Sequence, residues 1–115
     1  MTQNLSDWLK QKPDHDSVLS KIIQEPDLIE RLLTLIETDL SSIKFQADKI
    51  LQSLSLSDPE LVYPFFDRIA THIHSTNHFI QWGSLITLSH LIPFDQGQAF
   101  MKVILRYWLW RIALS

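Results

Sequence analysis

The stretch Ile43-Lys44-Phe45-Gln46-Ala47-Asp48-Lys49-Ile50-Leu51-Gln52-Ser53-Leu54 decides the fold, because its pattern returns 37 residues later as Ile80-Gln81-Trp82-Gly83-Ser84-Leu85-Ile86-Thr87-Leu88-Ser89-His90-Leu91. Ile43, Ala47, Ile50, Leu51 and Leu54 recur at the three- and four-residue spacing that lines one side of an α-helix. Under the shift Ile43, Phe45, Ala47, Leu51 and Leu54 fall on Ile80, Trp82, Ser84, Leu88 and Leu91, with one mild mismatch, Ile50 on Thr87. The same shift lays Leu28, Ile29, Leu32, Leu33 and Ile36 on Phe65, Phe66, Ile69, Ala70 and Ile73, and Arg31 on Arg68. A two-helix unit therefore occurs twice, and the small pair Ala47 and Ser84 predicts a close helix crossing in each copy.

Working outward, the chain is punctuated by helix starts. Asp58-Pro59-Glu60 puts an acceptor at an N-cap, a proline where its missing N–H is harmless, and an acid at the positive end of the dipole. Asp27 with Glu30, and Asp95 with Gln98, have capping-box spacing; Asp14, Asn77 and Ser41 or Ser42 offer further caps. The expected helices lie near 4–12, 14–24, 27–39, 42–56, 59–75, 77–92 and 96–114. Their short connections make successive helices antiparallel. Only one domain is expected over residues 1–115: capping helices at 1–26, a first unit at 27–57, a second at 58–93, and an apolar helix at 94–115.

Composition agrees. The 115 residues are 45% apolar, with 31 Leu and Ile against 3 Val and only 2 Gly, a balance that favours helices over hairpin-rich sheets. Cysteine is absent, which excludes a disulfide scaffold, a thiolate nucleophile and Cys-based zinc sites. The start, Met1-Thr2-Gln3-Asn4-Leu5-Ser6-Asp7-Trp8, lacks the charge and apolar run of a signal peptide, so a cytoplasmic location is expected. Phe100 to Leu114, interrupted by Lys102, Arg106 and Arg111, is too short and too charged to span a bilayer.

The run Asp58-Pro59-Glu60-Leu61-Val62-Tyr63-Pro64-Phe65-Phe66, followed by Asn77-His78-Phe79-Ile80-Gln81-Trp82-Gly83-Ser84-Leu85-Ile86-Thr87-Leu88, resembles a HEAT repeat of the small bacterial kind. Ile43 to Leu51 resembles the second helix of a preceding repeat. That family often carries a bending proline in its first helix, a place Pro64 fills; Lys44 keeps the basic place of the second helix, where Gln81 departs from it. The resemblance covers residues 27–93. It implies an all-α fold, a short right-handed α-α superhelix (a HEAT-like, armadillo-type solenoid) of antiparallel helix pairs, used to bind other macromolecules. Two units fall short of the three or so that such stacks need, so the terminal helices are expected to cap them.

Two surfaces are candidates. Phe45 points away from the apolar side of its helix beside Asp48, Lys49 and Gln52, and the equivalent places are Trp82, Leu85, Ile86 and Ser89. Second helices line the concave side of a HEAT-like stack, so Phe45, Lys49, Trp82, Leu85 and Ile86 are the candidate partner-binding residues; the bland alternative is that the aromatics pack between helices. The other surface is the last helix, apolar on every side. Phe100, Ile104, Tyr107, Trp108 and Trp110 are its candidate self-association residues, against burial within the monomer or contact with a membrane surface.

Other chemistry is poorly represented. His72, His74 and His78 crowd a turn with no nearby carboxylate in sequence and read as a solvated loop; His15 and His90 stand alone. With only Gly83 and Gly97, no glycine loop cradles phosphate, and no serine sits in a nucleophile elbow. The formal charge of −3, and the replacement of Lys44 and Lys49 by Gln81 and Ile86, leave no basic stripe for DNA. The expectation is a non-catalytic protein-interaction module or scaffold without cofactor or metal, binding a protein or peptide and possessing a homodimer surface at its C-terminal helix. The alternatives are a helical domain holding a small apolar ligand or lipid and, less favoured, a nucleic-acid-repair module.

Overall fold

The computed structural model describes residues 5–38, 41–95, 105–107 and 109–111. All regular structure among them is helical, with no strand. The first two helices are α1 (Leu5–Lys10) and α2 (His15–Gln24). The first unit consists of α3 (Leu28–Ile36) and α4 (Ser41–Ser57). In the second, the expected first helix is broken: α5 (Pro59–Val62), a 3₁₀ turn at Tyr63–Phe65, α6 (Phe66–Thr71) and a 3₁₀ turn at His72–His74 precede α7 (His78–His90). Pro64 explains the first break, since it removes an amide donor and clashes with the preceding turn. A short helix, α8 (Ile92–Asp95), follows where a loop was expected. Of the expected 96–114 helix, residues 105–107 and 109–111 are helical and the remainder lies outside the described residues.

The caps divide. Asp14 accepts from the Ser17 amide at 3.3 Å, and Asn77 accepts from both Phe79 and Ile80 amides at 2.9 and 3.2 Å. The Asp27–Glu30 box does not form: Asp27 has helical dihedrals and its side chain caps nothing, because the chain already turns at Glu25, whose carbonyl takes the Leu28 amide at 3.0 Å. Asp58 likewise caps no amide with its side chain, which accepts instead from the Ser57 hydroxyl at 2.8 Å.

Burial follows the 37-residue shift. Ile43 and Ile80 are each the third residue of their helix and both are buried, as are Ala47 with Ser84, Ile50 with Thr87, Leu51 with Leu88, and Leu54 with Leu91. In the first helices Ile29 with Phe66, Leu32 with Ile69, and Ile36 with Ile73 are buried. Helix α4 packs most extensively on α7 and next on α3, and it also meets α1, α2 and α5. Phe45 meets Phe79, Asp48 faces Gly83, and Ser55 meets His90, so α4 and α7 lie side by side in the same direction. Thr34 and Glu37 of the first unit likewise reach Arg68 and His72 of the second.

Candidate functional site

The pairing of α4 with α7 leaves one side of both helices in solvent. On α7, Phe79, Trp82 and Ile86 follow one another at three and four residues and are 76%, 66% and 40% exposed. Asn77 fixes where this line begins, because its side-chain Oδ1 accepts from the Phe79 and Ile80 amides in the first turn of the helix. Phe45, half-buried, meets Phe79 edge-on at 5.7 Å between ring centroids and joins the line to α4. Along α4 the same side continues with exposed Lys49, half-buried Gln52 and exposed Leu56. Neither Lys44 nor Lys49 forms a salt bridge among the described residues, and α7 contains no Asp, Glu, Lys or Arg.

Of the expected partner-binding residues, the fold brings Phe45, Lys49, Trp82 and Ile86 to this side. Leu85 packs half-buried against the core, and so does Phe45, which sits between the helices as the alternative reading of the aromatics expects. Phe79, the most exposed large apolar side chain described on α7, was absent from the sequence reading; its spacing to Trp82 and Ile86 was the available signal.

Beneath the exposed side runs a seam. The Asp48 carboxylate, buried at 5% exposure, lies against Gly83, and a Cβ there would overlap Asp48 Oδ2 and stand 2.7 Å from its Cγ. The close approach of α4 and α7 therefore uses the carboxylate and the glycine. Gln52 Nε2 donates to Asp48 Oδ2 at 2.9 Å. Desolvation pushes the Asp48 pKa up to about 6, against the smaller opposing effect of that hydrogen bond. At the far end of the seam the Ser55 hydroxyl, fully buried, donates to the Gln52 carbonyl at 2.7 Å and lies 3.0 Å from His90 Nδ1. His90 is thus an inter-helix contact, not a solitary residue. So is His15, whose Nε2 lies 2.9 Å from Ser53 Oγ.

The histidine turn is not simply a solvated loop. His72 is buried, and its Nε2 is 2.9 Å from Glu37 Oε2, a carboxylate brought in from 35 residues away. Arg68 clasps the same carboxylate, with Nε at 3.1 Å and a terminal nitrogen at 2.8 Å. The Arg68 hydrogen bond comes first in holding Glu37 below the usual carboxylate range, opposed by desolvation and helped by His72. Three carboxylate or imidazole groups placed to hold a metal ion do not occur among the described residues. His74 meets Trp110 edge-on at 4.8 Å, and His78 is exposed.

In the C-terminal segment, Tyr107 and Trp110 are half-buried, with Tyr107 against the core and Arg111 5.9 Å above the Tyr107 ring. Leu105 and Leu109 are exposed. Phe100, Ile104 and Trp108 lie outside the described residues. No helix among the described residues is long and apolar enough to cross a membrane. A shallow, open depression of about 380 Å³ on α2 is lined by Asp16, Ser17, Ser20, Lys21 and Gln24. Comparison of the chain with protein-family models, with curated proteins and with solved structures finds no match.

Proposed function

We propose that the protein is a non-catalytic interaction module whose α4/α7 side receives a protein partner, its two helix pairs forming a short HEAT-like stack. The observation that carries this reading is the line Phe79, Trp82, Ile86 held in solvent on a helix whose other side is fully packed. Large aromatics beside a lone cation are the residue types that dominate interface energies. Support for the stack comes from the pairing of equivalent helices: α4 with α7, and the end of α3 with α6 through Glu37 and Arg68. The exposed pair Leu105 and Leu109 supplies a second surface, on which the homodimer would form.

The test places a photoreactive amino acid at Ile86, or at exposed Arg31 on α3 as a control, and irradiates living cells. A discrete protein adduct is expected from position 86, none from 31, and loss of the adduct when Phe79→Ser and Trp82→Ser are added. These exposed changes should alter stability by only about 1 kcal/mol or less each, the larger loss at Phe79, whose ring meets Phe45; chemical denaturation would verify that both variants stay folded. No adduct, or the same adducts from both positions, would defeat the proposal.

A further inference from the structure

We infer that the occupant of the α4/α7 side is a short amphipathic helix with an acidic flank, an inference that rests on the interaction reading above. Three observations select it. The exposed parts of Phe79, Trp82 and Ile86 amount to on the order of 400 Å². That is half of what each partner contributes to a standard interface between folded proteins, and it suits two or three turns of one helix. Secondly, the backbone amides and carbonyls of α4 and α7 are engaged within their helices, so no sheet edge exists there for an extended peptide to join. Recognition must come from side chains, and a line spaced three and four residues apart is matched by apolar residues of the same period on the partner.

Charge supplies the third observation. Facing this side is Lys49 of α4, exposed and outside any salt bridge among the described residues. The acid Asp48 is buried in the seam and hydrogen-bonded to Gln52. An acidic flank on the partner, lying along α4, would pair with Lys49, and a basic one would be repelled. The same reasoning argues against this chain's own C-terminal segment as the occupant, because Leu105 and Leu109 are accompanied there by Arg106 and Arg111.

The test is a selection from a displayed library of helix-forming 16-residue peptides against the full chain, with the Phe79→Ser/Trp82→Ser variant used to remove binders elsewhere. Enriched peptides should carry apolar residues at three- and four-residue spacing and an excess of Asp and Glu. By fluorescence anisotropy, Lys49→Glu should bind the leading peptide about fivefold more weakly, and a Glu→Lys version of that peptide should prefer Lys49→Glu to wild type. Basic or neutral peptides that still depend on Trp82 would overturn the acidic partner and leave the interaction reading standing. An absence of Trp82-dependent peptides would overturn both. So would vesicles of anionic phospholipid binding through Trp82 where peptides do not.

Discussion

At the scale of single residues, Asp48 and Gly83 decide how near α4 and α7 approach. Alanine is a better helix former than glycine by about 1 kcal/mol, so Gly83→Ala would be stabilising in an open helix. Here the added methyl would overlap Asp48 Oδ2, and forcing the seam apart should destabilise the fold by about 1–3 kcal/mol. Combining it with Asp48→Ala should restore most of that loss, a strongly non-additive cycle readable by urea unfolding. Asp48 also gives stability a definite pH dependence. Its carboxyl titrates at about 6 folded and near 3.8 when free, so folding favours the protonated form. The associated stabilisation is complete below pH 3.8 and is lost as pH rises through 6, a loss of up to about 3 kcal/mol. Asp48→Asn should be more stable than wild type at pH 7.5 by about 1–3 kcal/mol, and the advantage should vanish near pH 4. A wild-type advantage at pH 7.5 would mean that the carboxylate is stabilised by something other than Gln52.

At the scale of elements, the link between α3 and α6 acts in the opposite pH direction. Glu37 has a lowered pKa through Arg68 and His72, so its contribution is present above its ordinary value of 4.5 and disappears as the pH falls through the folded value. Arg68→Ala removes a half-exposed partner and should cost about 1 kcal/mol or less. Glu37→Ala should cost more, about 1–3 kcal/mol, because it leaves buried His72 without its acceptor; a pair of melting curves at pH 7 would rank the two. Asn77→Ala frees two amides at the start of α7 and should cost about 1 kcal/mol. What the sequence disclosed at this scale was whatever is periodic: the apolar spacing of α3, α4 and α7 and their approximate extents, while the helix expected over 59–75 is broken at Pro64. Glu37 with His72, Asp48 with Gly83, and Ser55 with His90 were not disclosed. Each joins residues some 35 positions apart, and only the lateral offset between neighbouring helices, which no local spacing encodes, determines which side chains meet. Asp27 failed as a cap for a related reason, because Pro26 had already turned the chain one residue earlier. Of the candidate face, Trp82 and Ile86 were legible through equivalence with Phe45 and Lys49. Phe79 aligns with Ser42, so a comparison anchored on Phe45 passed over it.

At the scale of the whole molecule, the extents are 48 × 30 × 19 Å. The shortest equals about two helix diameters, as expected of helices arranged in two layers. Within it one continuous apolar cluster runs from Leu5 on α1 to Leu91 beyond α7, and α4 packs on α1, α2, α3, α5 and α7. Neither unit therefore has a core of its own: α4 completes the burial of α3 on one flank and of α7 on the other. Long repeat arrays unfold piecemeal because each unit is coupled only to its neighbours. With α4 common to both halves, this chain should instead unfold as a single unit. Leu51, buried in the middle of α4, provides the test. Leu51→Ala should remove about 2–5 kcal/mol, a large share of the stability of a domain this size. If the molecule is one cooperative body, amide hydrogen exchange in α2 and α7 should accelerate by the same factor, since both are released by the same global opening. Acceleration confined to α7, with α2 keeping its protection, would show that the first unit and its N-terminal helices hold together alone.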